Sequence, residues 1–223
     1  MHKSIAIITD IYGITPALST WVDSLKSHYQ HVHLLSPYDD TPLDEAMLNS
    51  EQNEQDEKKI YQHFIAQCGH DLYTNKVREL MSNHNIDCVL AFSAGASATW
   101  RALADDSYNV EHFIGCYPSQ IRHHLDISPT CNTSLIFPDS EPHFLVDDVI
   151  ATLNDYSQVQ CIKTPWLHGF FNQYSAHFNA SANHLLSQFI VQQSTQQNLP
   201  PNILQNKAFD PLKLKQLITE FVS

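Results

Sequence analysis

Glycine is scarce in this chain, with 5 glycines in 223 residues, about 2% where globular proteins carry roughly 7%. Since glycine alone adopts some backbone conformations without strain, we expect each remaining glycine to occupy a position that other residues fill poorly. A hydrophobic fraction of 43% and a charged fraction of 16% exclude a disordered tail, a coiled coil and a collagen-like repeat. The length predicts one domain over residues 1–223 with a sizeable core.

Basic residues are also few: 12 Lys and Arg stand against 24 Asp and Glu, which gives a net charge of -12. Such a surface argues against binding to nucleic acid or to anionic membranes, because both are recognised through basic patches. No apolar run approaches the roughly 20 residues of a membrane-spanning helix. A strand-like run begins almost at the first residue and leaves no room for a signal peptide, so we expect a cytoplasmic protein.

Patterns for metals and cofactors are missing as well. The five cysteines are an odd number without CxxC spacing, which predicts neither a disulfide framework nor a zinc site. Neither the pair His31 and His33 nor the pair His123 and His124 is joined by Asp, Glu or Cys at metal-ligand spacing. No GxGxxG or Walker pattern is present. We therefore expect no metal and no cofactor. We also expect a small molecule as the binding partner, and a monomer or homodimer.

Short apolar, β-branched runs alternate with longer helix-like stretches along the chain. This alternation predicts a mostly parallel sheet with helices on both faces, an α/β fold. Residues 39–57, which are acidic and rich in Gln and Asn, predict a surface loop that leads into a helix. The predicted strands are 5–9, 32–35, 87–92, 112–117, 134–137 and 159–163, and the predicted helices are 16–29, 51–67, 70–83, 94–104, 144–154, 177–193 and 210–222.

The segment Phe92-Ser93-Ala94-Gly95 directly follows the third predicted strand and opens a helix. This is the setting of a nucleophile elbow, a sharp turn that exposes a serine hydroxyl above the sheet. The turn requires small residues two positions before and after the serine, and Ala91 and Gly95 satisfy that requirement. The alternative is a serine that only caps the helix.

The order of the candidate residues along the chain supports a nucleophile elbow at Ser93. A hydrolase triad on such a sheet runs in the order nucleophile, acid, histidine. Asp139 and Glu141 follow the fifth predicted strand, and His168 follows the sixth. Because functional groups of open α/β sheets collect at the carboxyl ends of the strands, we expect these side chains to lie near Ser93.

In five segments, the sequence resembles the dienelactone hydrolases, a family with the α/β-hydrolase fold. The resemblance covers roughly residues 3–193 and implies a shortened six-stranded parallel sheet in the order 2-1-3-4-5-6. His168-Gly169-Phe170 and the elbow are its most specific parts. The matching segments are Asp10 to Gly13, Phe92 to Ser97, Tyr117 to Arg122, Ile136 to Glu141, and His168 to Phe170.

The resemblance implies acyl transfer by Ser93 with His168 as general base. The family pattern places the triad acid at Glu141, and Asp139 remains the competing candidate. The backbone N–H of Ala94, and by resemblance that of Ile11, would hold the oxyanion. Well-known members of the family use cysteine where this chain has Ser93, and glutamate where it has Asp10, whose shorter side chain makes direct contact with the nucleophile doubtful.

The sequence indicates the residues that contact the substrate less clearly than it indicates the triad. Asp10, Tyr12 and Arg122 lie in matching segments, and Tyr61 is an aromatic candidate for the wall of a pocket. The predicted function is a cofactor-free serine hydrolase that cleaves small esters or lactones through an acyl-enzyme. A thioesterase or peptidase with the same triad, and a binding module that keeps the fold without catalysis, are the alternatives.

Overall fold

One six-stranded parallel sheet organises the computed structural model of the protein, which describes residues 4–39, 43, 45–48, 53–105, 107–196 and 216. The strands are β1 (Ser4–Ile8), β2 (His31–Leu35), β3 (Cys88–Phe92), β4 (His112–Cys116), β5 (Asn132–Phe137) and β6 (Val159–Lys163). Their order in the sheet is β2-β1-β3-β4-β5-β6, and every neighbouring pair is parallel. The predicted α/β fold and strand order are thus confirmed.

Helices cover both faces of this sheet. They are α1 (Pro16–Leu25), α2 (Glu45–Leu48), α3 (Glu54–Gln67), α4 (Gly69–Asn83), α5 (Ser93–Ala102), α6 (Val146–Leu153) and α7 (Ala180–Gln196), with a 3₁₀ turn at Ser119–His123. The short helix α2 and the 3₁₀ turn were not predicted. The helix predicted at 210–222 lies outside the described residues except for residue 216.

Side chains of each central strand alternate between two separate hydrophobic layers. Ile5 and Ile7 of β1 point to the face that α1 and α7 cover. Ala6 and Ile8 point to the opposite face, which α3, α4, α5 and α6 cover. Burial on both faces explains why β1 is one continuous apolar run rather than an alternating one.

The prediction of a surface loop over residues 39–57 is wrong in part. Helix α2 lies within this segment. Leu43 and Leu48 are buried in the same hydrophobic layer as residues of α3 and α4. Two leucines among many polar residues are a weak sequence signal, and only their contacts with the core show that the segment packs against it.

Helix α5 lies unusually close to the backbone of β1. A Cβ atom added at Gly95 would collide with the carbonyl oxygen of Thr9 and would lie 2.9 Å from that of Ile8. Because backbone atoms cannot move aside as a flexible side chain can, only glycine fits at this contact. Gly95 therefore determines how closely the first turn of α5 approaches the sheet.

We expect Gly95→Ala to lower the free energy of unfolding by about 3 kcal/mol, because overpacking at this contact has to displace a central strand. Gly69→Ala is the matched control, since a Cβ there meets no atom within 4 Å and only the backbone φ of +66° is unfavourable. That control should cost about 1 kcal/mol. Urea denaturation followed by circular dichroism measures both losses, and equal losses would contradict the proposed role of the contact.

Candidate active site

Ser93 stands at the sharp turn between β3 and α5. β3 ends at Phe92, and Ser93 is the first residue of the helix, with a backbone φ of +48°. This left-handed conformation is unfavourable for a residue with a side chain, and such strain is concentrated at functional sites. The geometry is that of a nucleophile elbow, with the serine half-buried at the carboxyl edge of the sheet.

Three side chains form a continuous hydrogen-bonded chain at this edge. Ser93 Oγ lies 2.9 Å from His168 Nε2, and His168 Nδ1 lies 2.7 Å from Glu141 Oε1. Glu141 comes from the loop after β5 and His168 from the loop after β6. The Glu141 side chain is only 5% exposed, whereas that of His168 is 31% exposed. The carboxylate is thus shielded from water while the imidazole is accessible beside the serine.

Asp139 occupies a different position from Glu141 in the same loop. It is exposed, and its backbone N–H donates a 2.7 Å hydrogen bond to the carbonyl oxygen of Trp166. That bond ties the loop after β5 to the loop that carries His168. Of the two acids that the sequence left open, the structure brings Glu141 into contact with His168.

Ser119 is a further member of the cluster that the sequence analysis did not identify. Its hydroxyl donates to Glu141 Oε1 at 3.0 Å and lies 3.1 Å from His168 Nδ1. It begins the 3₁₀ turn after β4, within a segment already noted for its resemblance. Its position in that segment is the only feature of the sequence that points to Ser119. Serine is too common in loops for the residue type to indicate its contacts with Glu141 and His168.

Two backbone N–H groups are candidates for holding an oxyanion. That of Ala94 belongs to the first turn of α5, where helical N–H groups lack intrahelical acceptors. The Asp10 carbonyl accepts from Gly13 N at 3.1 Å, so the N–H of Ile11, across the same trans peptide, points away from that turn. Tyr38 Oη donates to the Ile11 carbonyl at 2.6 Å and holds the next peptide of the loop.

Asp10 belongs to this loop, and its side chain is buried. Its Oδ2 accepts from Asn172 Nδ2 at 2.7 Å, and its Oδ1 accepts from the backbone N–H of Tyr12 at 2.9 Å. Burial raises the pKa of Asp10 to about 6, although both hydrogen bonds oppose the shift. These contacts tie the loop after β1 to the loop after His168.

Glu57 of α3 connects the same two loops from outside the sheet. Its Oε1 accepts from Tyr12 Oη at 3.0 Å, from Ser175 Oγ at 2.7 Å and from the backbone N–H of Ala176 at 2.9 Å. Burial, followed by the nearby Glu57 charge, raises the pKa of the Tyr12 phenol. The Tyr12 hydroxyl is therefore engaged by Glu57. The sequence alone does not indicate these contacts of Glu57, because Tyr12, Ser175 and Ala176 are distant from it along the chain.

Arg122 and Tyr61 lie outside the hydrogen-bonded chain. Arg122 Nη1 donates to the Ser119 carbonyl at 2.6 Å, and its guanidinium lies 5.4 Å from the centre of the Phe144 ring. Tyr61 is exposed on α3, with its hydroxyl 3.3 Å from His70 Nε2. A role for either residue in substrate binding stays a prediction.

In the part of the chain that the structure describes, no three His, Cys, Asp or Glu side chains come together in a way that could hold a metal ion. None of the helices among those same residues combines the length and the apolar character needed to cross a bilayer.

No family model matches this sequence, but a curated protein is similar to part of it. The uncharacterized protein YczH of Bacillus subtilis (strain 168) is 30% identical over 130 residues. The match includes 56% of this chain and spans 62% of the length of that relative.

Several solved structures resemble the fold of this chain. A protein assigned as a dienelactone hydrolase from Klebsiella pneumoniae subsp. pneumoniae has a TM-score of 0.60 at 12% identity, with 87% of each chain covered. A dienelactone hydrolase-like promiscuous phosphotriesterase from metagenomic libraries has a TM-score of 0.58 at 8% identity, with 87% of this chain and 86% of that one covered. Est1E from Butyrivibrio proteoclasticus has a TM-score of 0.50 at 10% identity, with 88% of each chain covered. Together with the strand order, these likenesses show that the chain has the α/β-hydrolase fold.

Proposed function

We propose that the protein is a serine hydrolase that cleaves small carboxylic esters or lactones. The observation that carries the proposal is the chain of two hydrogen bonds from Ser93 through His168 to Glu141, at 2.9 and 2.7 Å. A serine that only caps a helix needs neither a histidine at its hydroxyl nor a shielded carboxylate behind that histidine. The names of the structural relatives, two of them dienelactone hydrolases or similar to them, agree with this chemistry.

In the first half of the reaction, Ser93 Oγ forms a bond to the carbonyl carbon of the ester while its proton moves to His168 Nε2. The carbonyl electron pair moves to oxygen, where the N–H groups of Ala94 and Ile11 stabilise the developing negative charge. When the tetrahedral intermediate collapses, the bond to the leaving oxygen breaks and that oxygen takes the proton from His168. The result is an acyl-enzyme and a free alcohol, or, for a lactone, an acyl chain that still carries its hydroxyl.

In the second half, water replaces the serine as the attacking group. His168 Nε2 accepts a proton from the water as its oxygen bonds to the acyl carbon. The second intermediate then expels Ser93 Oγ, which recovers the proton from His168. Glu141 holds the Nδ1–H tautomer of His168 and stabilises the imidazolium of each step, while Ser119 donates to the same carboxylate oxygen and positions it.

Ser93→Ala should lower kcat for 4-nitrophenyl acetate by at least about 1,000-fold, because the acyl-enzyme can no longer form. The release of 4-nitrophenolate measures the rate, and labelling by a fluorophosphonate probe reports the reactive serine directly. Ser82→Ala removes an exposed hydroxyl on α4 and serves as the control with unchanged activity. Hydrolysis that survives in Ser93→Ala, or a folded wild-type protein that the probe does not label, would refute the proposal.

Glu141→Gln should lower kcat by about 1,000-fold, because the amide cannot stabilise the His168 imidazolium and presents an N–H where an acceptor is needed. Asp139→Asn makes the same chemical change two residues earlier on an exposed side chain and should alter kcat by less than about twofold. Steady-state kinetics on the same ester compares the two variants. A larger loss in Asp139→Asn than in Glu141→Gln would reverse the assignment of the acid.

A further inference from the structure

Glu57 of α3 contacts both of the loops on which the proposed chemistry depends. The loop after β1 carries the N–H of Ile11, and the loop after β6 carries His168. These two loops donate three hydrogen bonds to one atom, Glu57 Oε1, at 2.7, 2.9 and 3.0 Å. An oxygen of a carboxylate suits this convergence, because hydrogen bonds to an ionised group are stronger than those between neutral groups.

On the oxyanion side, Glu57 holds the loop after β1 through Tyr12. The Tyr12 side chain is buried, with 5% of the residue exposed, and its hydroxyl donates to Glu57. Tyr12 directly follows Ile11, whose N–H is assigned to the oxyanion. Because consecutive peptide units are planar and joined at each Cα, a shift of Tyr12 relative to α3 also moves the Ile11 N–H.

On the side of the general base, Glu57 holds the loop after β6 through Ser175 and Ala176. Ser175 is 2% exposed and packs directly against Gly169, the residue after His168. A Cβ atom added at Gly169 would collide with Ser175 Oγ and would lie 2.8 Å from Ser175 Cβ. The Ser175 hydroxyl that Glu57 binds therefore keeps the backbone beside His168 in place.

The helix that carries Glu57 is a firmer support than either loop. Residues 9–15 and 164–179 contain neither helix nor strand. Helix α3 has 14 residues, and Ile60 and Phe64 on it are buried in the core, at 3% and 0% exposure. Glu57 lies three and seven residues before them and thus on the same face of the helix. The packing of that face fixes the position from which Glu57 reaches the loops.

We infer that Glu57 is a positioning residue of the proposed reaction, which fixes the Ile11 N–H relative to His168 by binding both loops with one oxygen. The inference rests on the proposed function, because it concerns the machinery of the same site. The N–H acts on the oxyanion and the imidazole on the proton of the same intermediate, so the rate depends on their relative position. It follows that Tyr12 is part of this support and does not contact the substrate.

Glu57→Met replaces the carboxylate by an apolar side chain of similar length. It should lower kcat and kcat/KM for 4-nitrophenyl acetate by the same factor, about 10- to 100-fold, because both tetrahedral intermediates need both groups in place. Glu57→Gln keeps an oxygen acceptor at the position of Oε1 and should stay within about fivefold of the wild type. Equal losses in the two variants, or a higher KM at unchanged kcat, would overturn the inference.

Glu79→Met is the matched control, because it makes the same change on an exposed side chain of α4. It should alter kcat by less than about twofold. Circular dichroism at the assay temperature measures the folded fraction of each variant, and rates are compared per folded molecule. A folded Glu57→Met protein with the activity of the wild type would contradict the positioning role.

A double-mutant cycle tests the role assigned to Tyr12. Tyr12→Phe removes one of the three contacts of Glu57 and should lower kcat/KM about three- to tenfold. Combined with Glu57→Met, it should cause no further loss, because the hydroxyl acts only through the carboxylate. A hydroxyl that binds the substrate directly would give losses that multiply, and that result would refute this role of Tyr12.

Hydrogen exchange followed by NMR separates this inference from the proposed function, because it needs no substrate. The Ala176 amide donates to Glu57, and the Gly13 amide donates to the Asp10 carbonyl in the loop after β1. Both amides should exchange at least about tenfold faster in Glu57→Met than in the wild type. Unchanged exchange, or faster exchange with unchanged kcat/KM, would refute the inference even where hydrolysis depends on Ser93. Hydrolysis independent of Ser93 would instead refute the proposed function, and the exchange rates would still decide whether Glu57 fixes the two loops.

Discussion

The contact between Gly95 and the backbone of β1 is the constraint on which the site depends. It brings the first turn of α5 against the carbonyl groups of Ile8 and Thr9, so that the chain must turn sharply as it leaves β3. Ser93 occupies that turn with a φ of +48°. The strain is maintained because the strand before the serine is fully buried and the helix after it is buried at all residues except Ser93 and Arg101. A hydroxyl group at the edge of the sheet is the direct consequence.

The groups around this hydroxyl come from loops that have no regular structure of their own, so their positions depend on side-chain contacts. The Asp139 N–H to Trp166 carbonyl bond joins the loops that carry Glu141 and His168. On the other side, Asp10 and Glu57 tie the loop after β1 to the loop after His168 through Asn172 and Ser175. Two carboxylates thus serve mainly to position loops, and a third, Glu141, contacts the imidazole itself.

The sequence by itself indicated the six strands and the position of Ser93, because burial on both faces produces continuous apolar runs and the elbow requires small neighbours. The order of the strands was implied by the resemblance to the dienelactone hydrolases. The sequence also indicated His168, whose place after the last strand follows from the order of the chain. Only the tertiary structure decided that Glu141 rather than Asp139 contacts His168, that Ser119 joins them, and that Leu43 and Leu48 are buried. The physical reason is that loop conformation depends on hydrogen bonds between residues far apart in the chain, and no local pattern of residue types encodes those contacts.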